Sequence, residues 1–229
     1  MMSDGDISIC HDPLKNSFNE KMECLKQLGT ATIYEAQGAT GALDSSIKPL
    51  HGDMRFAGPA YTVDMRPADN LMVHYAMLRA HQGDILVLDA KGFIEAGPWG
   101  DVLTSQAMRM GLSGLLINGA VRDSTAIIDM GFPVFSKGLS IKSTGKNQVG
   151  KVEVPVHISG VEINSGDIVV GDRDGVVVVK RHRLDEVIEL SLKREEKETE
   201  FIKQIINGGT TANLLNLEDK LSSIQTDNE

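Results

Sequence analysis

The chain has 229 residues, 41% of them hydrophobic, and a formal net charge of −9 at neutral pH. That length and apolar content can bury one full core, and no apolar run is long enough to span a bilayer. The acidic balance opposes electrostatic capture of nucleic acid or an anionic membrane, so an anionic small substrate would need local positive charge from an arginine or a metal.

Residues 1–15 are polar and irregular and read as a flexible tail. No basic segment followed by an apolar core opens the chain, so a cytoplasmic location is expected. Cys10 and Cys24 stand outside any metal-ligand spacing and read as ordinary reduced thiols. From about Asn16, Phe18, Met22, Leu25 and Leu28 recur at helical spacing until Gly29 ends the run. Thr30 or Thr32 can cap a second short helix through Glu35 to Gly38.

Residues 39–53 read as a loop, and strand character follows around Ala60-Tyr61-Thr62-Val63 until Pro67 breaks it. A helix from Asp69-Asn70 carries His74 on or beside its apolar stripe. No second His or Cys stands at ligand spacing, so a satisfied core or interface histidine is the commoner reading. Gly83-Asp84 then turns into the buried strand Ile85 to Leu88, an arrangement echoed by Gly166-Asp167 before Ile168-Val169-Val170.

The stretch that carries chemistry is Gly97 to Asp123. Pro98 and the glycines Gly97 and Gly100 make a loop that can approach a ligand closely, and Asp101 stands where a helix N-cap would. The helix places Leu103, Ala107 and Met110 on one stripe and stops at Gly111. It feeds the strand-length run Leu115-Leu116-Ile117, with Arg122 and Asp123 at that strand's far end. Asp101, Arg122 and Asp123 are therefore expected to face one cavity.

Downstream, Ser124 begins a short helix ending at Gly131, and Phe132 to Phe135 supplies a strand. Residues 136–150 form a loop whose lysines could make a rim that attracts carboxylates. The chain is strand-rich from Val152 to Val179, and its turn Asp172-Arg173-Asp174-Gly175 lacks the ligand ladder of a calcium loop. From Leu184 to Ile206 one broad helical face carries Leu184, Val187, Ile188 and Ser191, then Glu195 and Glu198 before Ile202 and Ile205. A carboxylate on such a stripe needs a partner or a metal, which singles out Glu198. The tail from residue 209 to 229 is polar and expected to be mobile.

The spacing Gly-x3-Asp-x20-Arg-Asp, from Gly97 to Asp123, resembles the signature of the pyruvate-releasing class II aldolases. These cleave 4-hydroxy-4-methyl-2-oxoglutarate and 4-carboxy-4-hydroxy-2-oxoadipate, and they share a superfamily with the regulator of ribonuclease E activity. The resemblance runs from about Leu28 to about Glu200. It implies an α/β fold, a three-layer ββα sandwich of the swivelling-domain type with a C-terminal helical extension, in a single domain over residues 16–208. It also implies homotrimers or homohexamers with sites at subunit interfaces.

The resemblance further implies that Asp123 holds a divalent cation, magnesium first and manganese second. Asp101 would orient water on it, Arg122 would bind substrate and stabilise the enolate, and the backbone of Gly100, Asp101, Val102 and Leu103 would receive pyruvate's carboxylate. Glu35 and Glu198, the latter in a Lys-Arg-Glu-x-x-Glu segment, would reach the site from a neighbouring subunit. The helix N-terminus favours an anion independently of any family argument. Lys91, Lys137 and Lys142 could be offered for a Schiff base instead, but none lies in the Gly97–Asp123 stretch. Oxaloacetate decarboxylation shares the enolate and would be a side activity. The alternative is a non-catalytic regulator that binds ribonuclease E.

Overall fold

The computed structural model describes residue 10 and residues 15–226. Helix α1 (Phe18–Gln27) opens with a capping box in which the Ser17 hydroxyl accepts from Glu20 N–H and the Glu20 carboxylate accepts from Ser17 N–H at 2.7 Å. Such a cap contributes about 1 kcal/mol. In α2 (Thr30–Ala36) the N-cap is Gly29, not a threonine. Thr30 instead donates its N–H and its hydroxyl to the Asp172 carboxylate, both at 2.8 Å, which ties α2 to the distant Asp-Gly turn. Asp172 also accepts from Asp174 N–H at 2.9 Å, so this carboxylate is spent on the fold.

The main sheet runs β1 (Lys48–Pro49), β5 (Val134–Leu139), β4 (Gly114–Val121), β3 (Ile85–Phe93), β2 (Phe56–Asp64), β9 (Ile168–Gly171) and β10 (Val176–Val179), with β6 (Lys151–Val152) on β2. Strands β2 to β5 are mutually parallel, and the pairings of β1, β6, β9 and β10 are antiparallel. A separate hairpin joins β7 (Val156–Ile158) to β8 (Val161–Ile163).

Period-two alternation sorts the parallel strands between two cores. Leu86, Leu88, Leu115 and Ile117 face α3 (Leu71–Ala76), α4 (Asp101–Met110) and α5 (Ser124–Met130), packing with Val73, Leu103, Ala107 and Ile127. Ile85, Val87 and Leu116 face the other way and meet Phe135, Val169, Val176 and Val178 with the hairpin's Ile158 and Ile163. Strands from both ends of the sheet order share this second core, so the sheet curls over itself into two β leaves. Phe56 and Phe135 meet there with ring centroids 4.5 Å apart. A Cβ on Gly171 would lie 2.9 Å from either ring, so only glycine allows the closure. Each fully buried aliphatic side chain contributes roughly 1.5–3 kcal/mol.

The ββα sandwich that the resemblance implied is therefore present. The structure adds a second helical layer: α1, α2 and the first half of α6 (Leu184–Ile206) cover the antiparallel leaf through Leu25, Ile33, Val187 and Ile188. One expectation is corrected. Cys10 and Cys24 are not free thiols but a disulfide with 5.4 Å between Cα atoms. Both sulfurs sit in the buried core of this helical layer, a juxtaposition made by packing that their separation of 14 residues did not announce. The polar tail beyond residue 209 forms α7 (Thr211–Leu214), capped by Thr210, and α8 (Glu218–Thr226). The expected fraying of residues 1–15 lies outside the described residues, apart from residues 10 and 15. Among the described residues no helix is long and apolar enough to cross a membrane.

Two buried aspartates should make the fold acid-sensitive. Burial raises the Asp167 carboxyl, but Lys180 at 2.8 Å and the backbone N–H groups of Asn164 and Arg181 outweigh it and hold the group below its ordinary value. Asp69 is likewise raised by burial and lowered further by three backbone N–H donors. A carboxyl depressed in the folded state stabilises at pH above its unfolded value, near 3.8 for both, and that stability is lost as pH falls through the lower folded value. Thermal melts from pH 6 to pH 2 should fall steeply at the acid end, and Asp167→Asn should flatten that limb. An unchanged acid limb would show that Asp167 carries no such linkage.

Candidate active site

Strands β3 and β4 are parallel, so the loops that leave their carboxyl ends emerge on one edge of the sheet. The loop after β3 carries Gly97 to Asp101 into α4, and the turn after β4 carries Arg122 and Asp123 into α5. The loop is fixed from beneath by Trp99. Its indole is fully buried, stacks on Phe132, and donates Nε1–H to the Thr104 hydroxyl at 2.7 Å, while that hydroxyl donates to Gly100 O at 3.0 Å. Arg122 N–H closes on Trp99 O at 2.9 Å.

The glycines serve this approach. A Cβ on Gly97 would lie 2.5 Å from Ser140 O, and one on Gly100 would overlap the Asp123 carboxylate and come within 3.2 Å of Arg122 Cγ. The Gly100 backbone is extended, at φ −154°, so space rather than conformation demands glycine there. The helix N-cap is Gly100, one residue earlier than the sequence suggested, and Asp101 is the first helical residue. Asp101 Oδ1 accepts from Val102 N–H at 2.7 Å. Val102 is exposed and Leu103 turns inward to the core.

Asp123 has φ 57° and ψ 35°, a left-handed conformation that costs a non-glycine residue roughly 1 kcal/mol or more. It stands at the N-cap of α5 yet makes no side-chain cap. Its Oδ2 lies 3.3 Å from Arg122 Nε, and both side chains are about two-fifths exposed. Asp123, expected to face one cavity with Asp101 and Arg122, is not among the residues that line it and lies against Gly100 instead. Held in strain, not spent on capping and partly exposed, its carboxylate suits a hard cation that takes one protein ligand and completes its shell with water and substrate. Among the described residues no three His, Cys, Asp or Glu side chains cluster as a self-sufficient metal cage.

A cavity of about 230 Å³ opens here, lined by Gly97 to Leu103 and Arg122 on one side and by Asn70, His74, Ser143, Thr144 and Lys146 on the other. Its size suits a small organic acid, below the usual several hundred cubic ångströms for larger ligands. The second wall went largely unread in the sequence. His74 is exposed and lines this cavity, so it is not a core histidine. Partial desolvation and the neighbouring Lys146 ammonium hold its imidazole below the ordinary histidine range.

Glu35 and Glu198 do not line the cavity. They lie in the other helical layer, where Arg194 pairs with the Glu35 carboxylate and sets its guanidinium against Glu198, with Nε 2.9 Å from Glu198 Oε1. The buried stripe of α6 ends at Ser191, and Glu195 takes the Thr32 hydroxyl at 2.9 Å. Glu198 is therefore a half-exposed, paired residue within this chain and not the buried carboxylate its helical stripe suggested. The Schiff-base candidates are also placed: Lys91 is held between Asp64 and Asp89, Lys142 is paired with Glu95, and none of Lys91, Lys137 and Lys142 lines the cavity.

The chain is thus a curled mixed sheet with a cavity lined by Asp101 and Arg122 at its parallel carboxyl edge. The chain belongs to the RraA-like family (Aldolase/RraA), which it matches over residues 30–178. It is 36% identical over 170 residues, 74% of this chain and 81% of the relative, to a protein of Halalkalibacterium halodurans provisionally named 4-hydroxy-4-methyl-2-oxoglutarate aldolase. Its fold is similar to that of an uncharacterised protein of Pseudomonas syringae pv. tomato at a TM-score of 0.75 and 30% identity, covering 84% of this chain and 94% of that one. Streptomyces coelicolor RraAS2, described as an unusual member of the RNase ES inhibitor RraA family, is similar at a TM-score of 0.72 and 26% identity, covering 82% and 99%.

Proposed function

We propose that this chain is a divalent-metal-dependent carbon–carbon lyase. Its substrates would be 4-hydroxy-4-methyl-2-oxoglutarate, 4-carboxy-4-hydroxy-2-oxoadipate or both, cleaved to pyruvate and a second oxoacid, with oxaloacetate decarboxylation as a side activity. The observation that carries this reading is the convergence of Arg122, Asp123, Asp101 and the α4 N-terminus at one edge of the sheet. The relative named as an aldolase supports it.

Cleavage breaks the C3–C4 bond. Its electron pair passes to the 2-oxo oxygen as an enolate, and the C4 hydroxyl gives up its proton as C4 becomes a carbonyl. A divalent cation, magnesium or manganese, supplies Lewis-acid polarisation of the 2-oxo group when bound at Asp123. The chain's own part is electrostatic. Arg122 sets a guanidinium against the oxygen on which charge develops. The first turn of the ten-residue α4 offers backbone N–H groups to the pyruvyl carboxylate. Val102 N–H is engaged by Asp101 Oδ1, so a carboxylate that takes this donor frees Asp101 to orient water. Glu35 and Glu198 act on a neighbouring subunit's site in a homotrimer or homohexamer.

Pyruvate release measured by a coupled assay with both hydroxy-oxoacids and oxaloacetate, with and without chelator, tests the reading. Chelator-sensitive release supports it. No release from any of the three leaves the regulator reading, which the likeness to RraAS2 favours and a ribonuclease E binding assay would then check. Gly100→Ala should lower turnover at least about tenfold, because its methyl group would displace the Asp123 carboxylate. Unchanged turnover would place Asp123 elsewhere in the working enzyme. Mixing inactive Asp123→Ala and Glu198→Ala subunits should restore activity in mixed oligomers. If tagged mixed oligomers form and stay inactive, Glu198 does not serve a neighbour.

A further inference from the structure

The far wall of the cavity is built with unusual care for a loop. Asp69, almost fully buried, accepts Leu71 N–H at 3.0 Å through one oxygen, and Asn147 N–H at 2.7 Å and Gln148 N–H at 3.2 Å through the other. Two backbone bonds, Asn70 N–H to Gly145 O at 3.0 Å and Gly145 N–H to Ala68 O at 2.8 Å, complete the clamp. The loop that carries Lys146 is thereby locked to the start of α3, which carries Asn70 and His74.

Asn70 is the N-cap residue of α3 but makes no side-chain cap, forgoing roughly 1 kcal/mol. Its amide turns away and donates Nδ2–H to Pro98 O at 3.0 Å. That bond fixes the orientation, since the flipped amide would oppose two oxygens. Asn70 is only 8% exposed, and its Oδ1, on a cavity-lining side chain, has no hydrogen-bond donor. A buried acceptor without a donor is costly unless a ligand supplies one. Nearby, Lys146 forms no ion pair among the described residues, whereas Lys142 on the same loop is neutralised by Glu95.

Building on the aldolase reading, we infer that this wall receives the departing C4 half of the substrate: Asn70 Oδ1 accepts from the C4 hydroxyl, and the Lys146 ammonium meets the C4 carboxylate. The assignment follows from polarity. The proposed substrates carry carboxylates, a ketone and one hydroxyl, so the hydroxyl is their only donor for an orphaned acceptor. A carboxylate is the natural partner of an uncommitted ammonium. The pyruvyl half takes the Arg122 wall, leaving the C4 half to face Asn70 and Lys146 across the cavity. Asn70 and Lys146 then select for a 4-hydroxy, 4-carboxy substrate, and Asp69 acts as a positioning residue for both.

The experiment compares wild type, Asn70→Ala and Lys146→Gln, each with magnesium. Three readouts are taken: deuterium exchange into the methyl group of pyruvate, cleavage of 4-hydroxy-4-methyl-2-oxoglutarate, and cleavage of 4-hydroxy-2-oxopentanoate, which lacks the C4 carboxylate. Lys146→Gln should lower kcat/KM for the dicarboxylate by roughly 10- to 100-fold, the scale of a lost charge-assisted hydrogen bond, and leave the monocarboxylate within about twofold. Asn70→Ala should lower cleavage of both hydroxyacids by about tenfold or more while pyruvate exchange persists, which also shows that the Gly97–Asp101 loop has kept its place. Equal losses on both hydroxyacids with Lys146→Gln, or exchange falling in step with cleavage in Asn70→Ala, would overturn the assignment. Lys146 is exposed, so its variant tests the inference without risk to folding. Wild type that neither cleaves nor exchanges would sink the aldolase reading itself, a result distinct from the other two.

Discussion

Asp123→Asn is expected to abolish pyruvate release and divalent-metal binding while the fold survives. Asparagine keeps the side chain's size and tolerates the left-handed backbone at φ 57°, so neither packing nor conformation changes. What disappears is one negative charge. The Arg122–Asp123 contact, at 3.3 Å with both side chains about two-fifths exposed, is worth little to stability once solvent screening is allowed for. A structural role would therefore show as a small loss in both stability and activity. A metal-holding role shows as loss of magnesium binding in calorimetry and of turnover by orders of magnitude, with an unchanged melting temperature. Normal turnover by this variant, or by chelated wild type, would remove the metal-dependent reading.

The contrast between the two walls of the cavity explains what the sequence made legible. Gly97 to Asp123 could be read because the determinants are local: two glycines forced by close approach, a helix ended by a left-handed Gly111, and a strand of uniformly buried residues. The parallel pairing of β3 and β4 then brings both loops to one edge without further instruction. The opposite wall depends on Asp69 reaching residues 78 and 79 positions away. Nothing in the residues around Lys146 announces that partner. The mispairing of Asn70 was equally silent, since Asp69-Asn70 ahead of an apolar run reads as an ordinary helix start.

The second helical layer shows the same limit from another side. Periodicity placed Glu198 on the stripe of Leu184, Val187 and Ile188, but full burial on that stripe ends at Ser191, and past it the contacts with α2 are polar, Thr32 to Glu195 and Glu35 to Arg194. There Arg194 gathers Glu35 and Glu198 into one half-exposed cluster. Helical periodicity says which residues share a face; how far along that face the protein extends is a tertiary fact. The Cys10–Cys24 bond is another such fact, and so are the two helices of the polar tail, whose short lengths gave periodicity little to register.

Arg122→Lys is expected to lower kcat by roughly 10²-fold or more, the scale for removing a donor to a developing oxyanion. Lysine retains the charge, so the substitution asks whether charge alone is enough. The guanidinium sits beside the Asp123 carboxylate, with Nε 3.3 Å from Oδ2, and on the proposed reading its planar nitrogens would meet the enolate oxygen and a carboxylate together. A lysine ammonium is a single, strongly hydrated point on a flexible stem and cannot do both. The backbone bond from residue 122 N–H to Trp99 O is indifferent to the side chain, so the loop stays closed. Both neighbours being partly exposed, stability should change by no more than about 0.5 kcal/mol. A loss confined to KM would mean that Arg122 binds ground state and transition state alike. Near-normal kcat would show that the enolate is stabilised elsewhere and that Arg122 only accompanies Asp123.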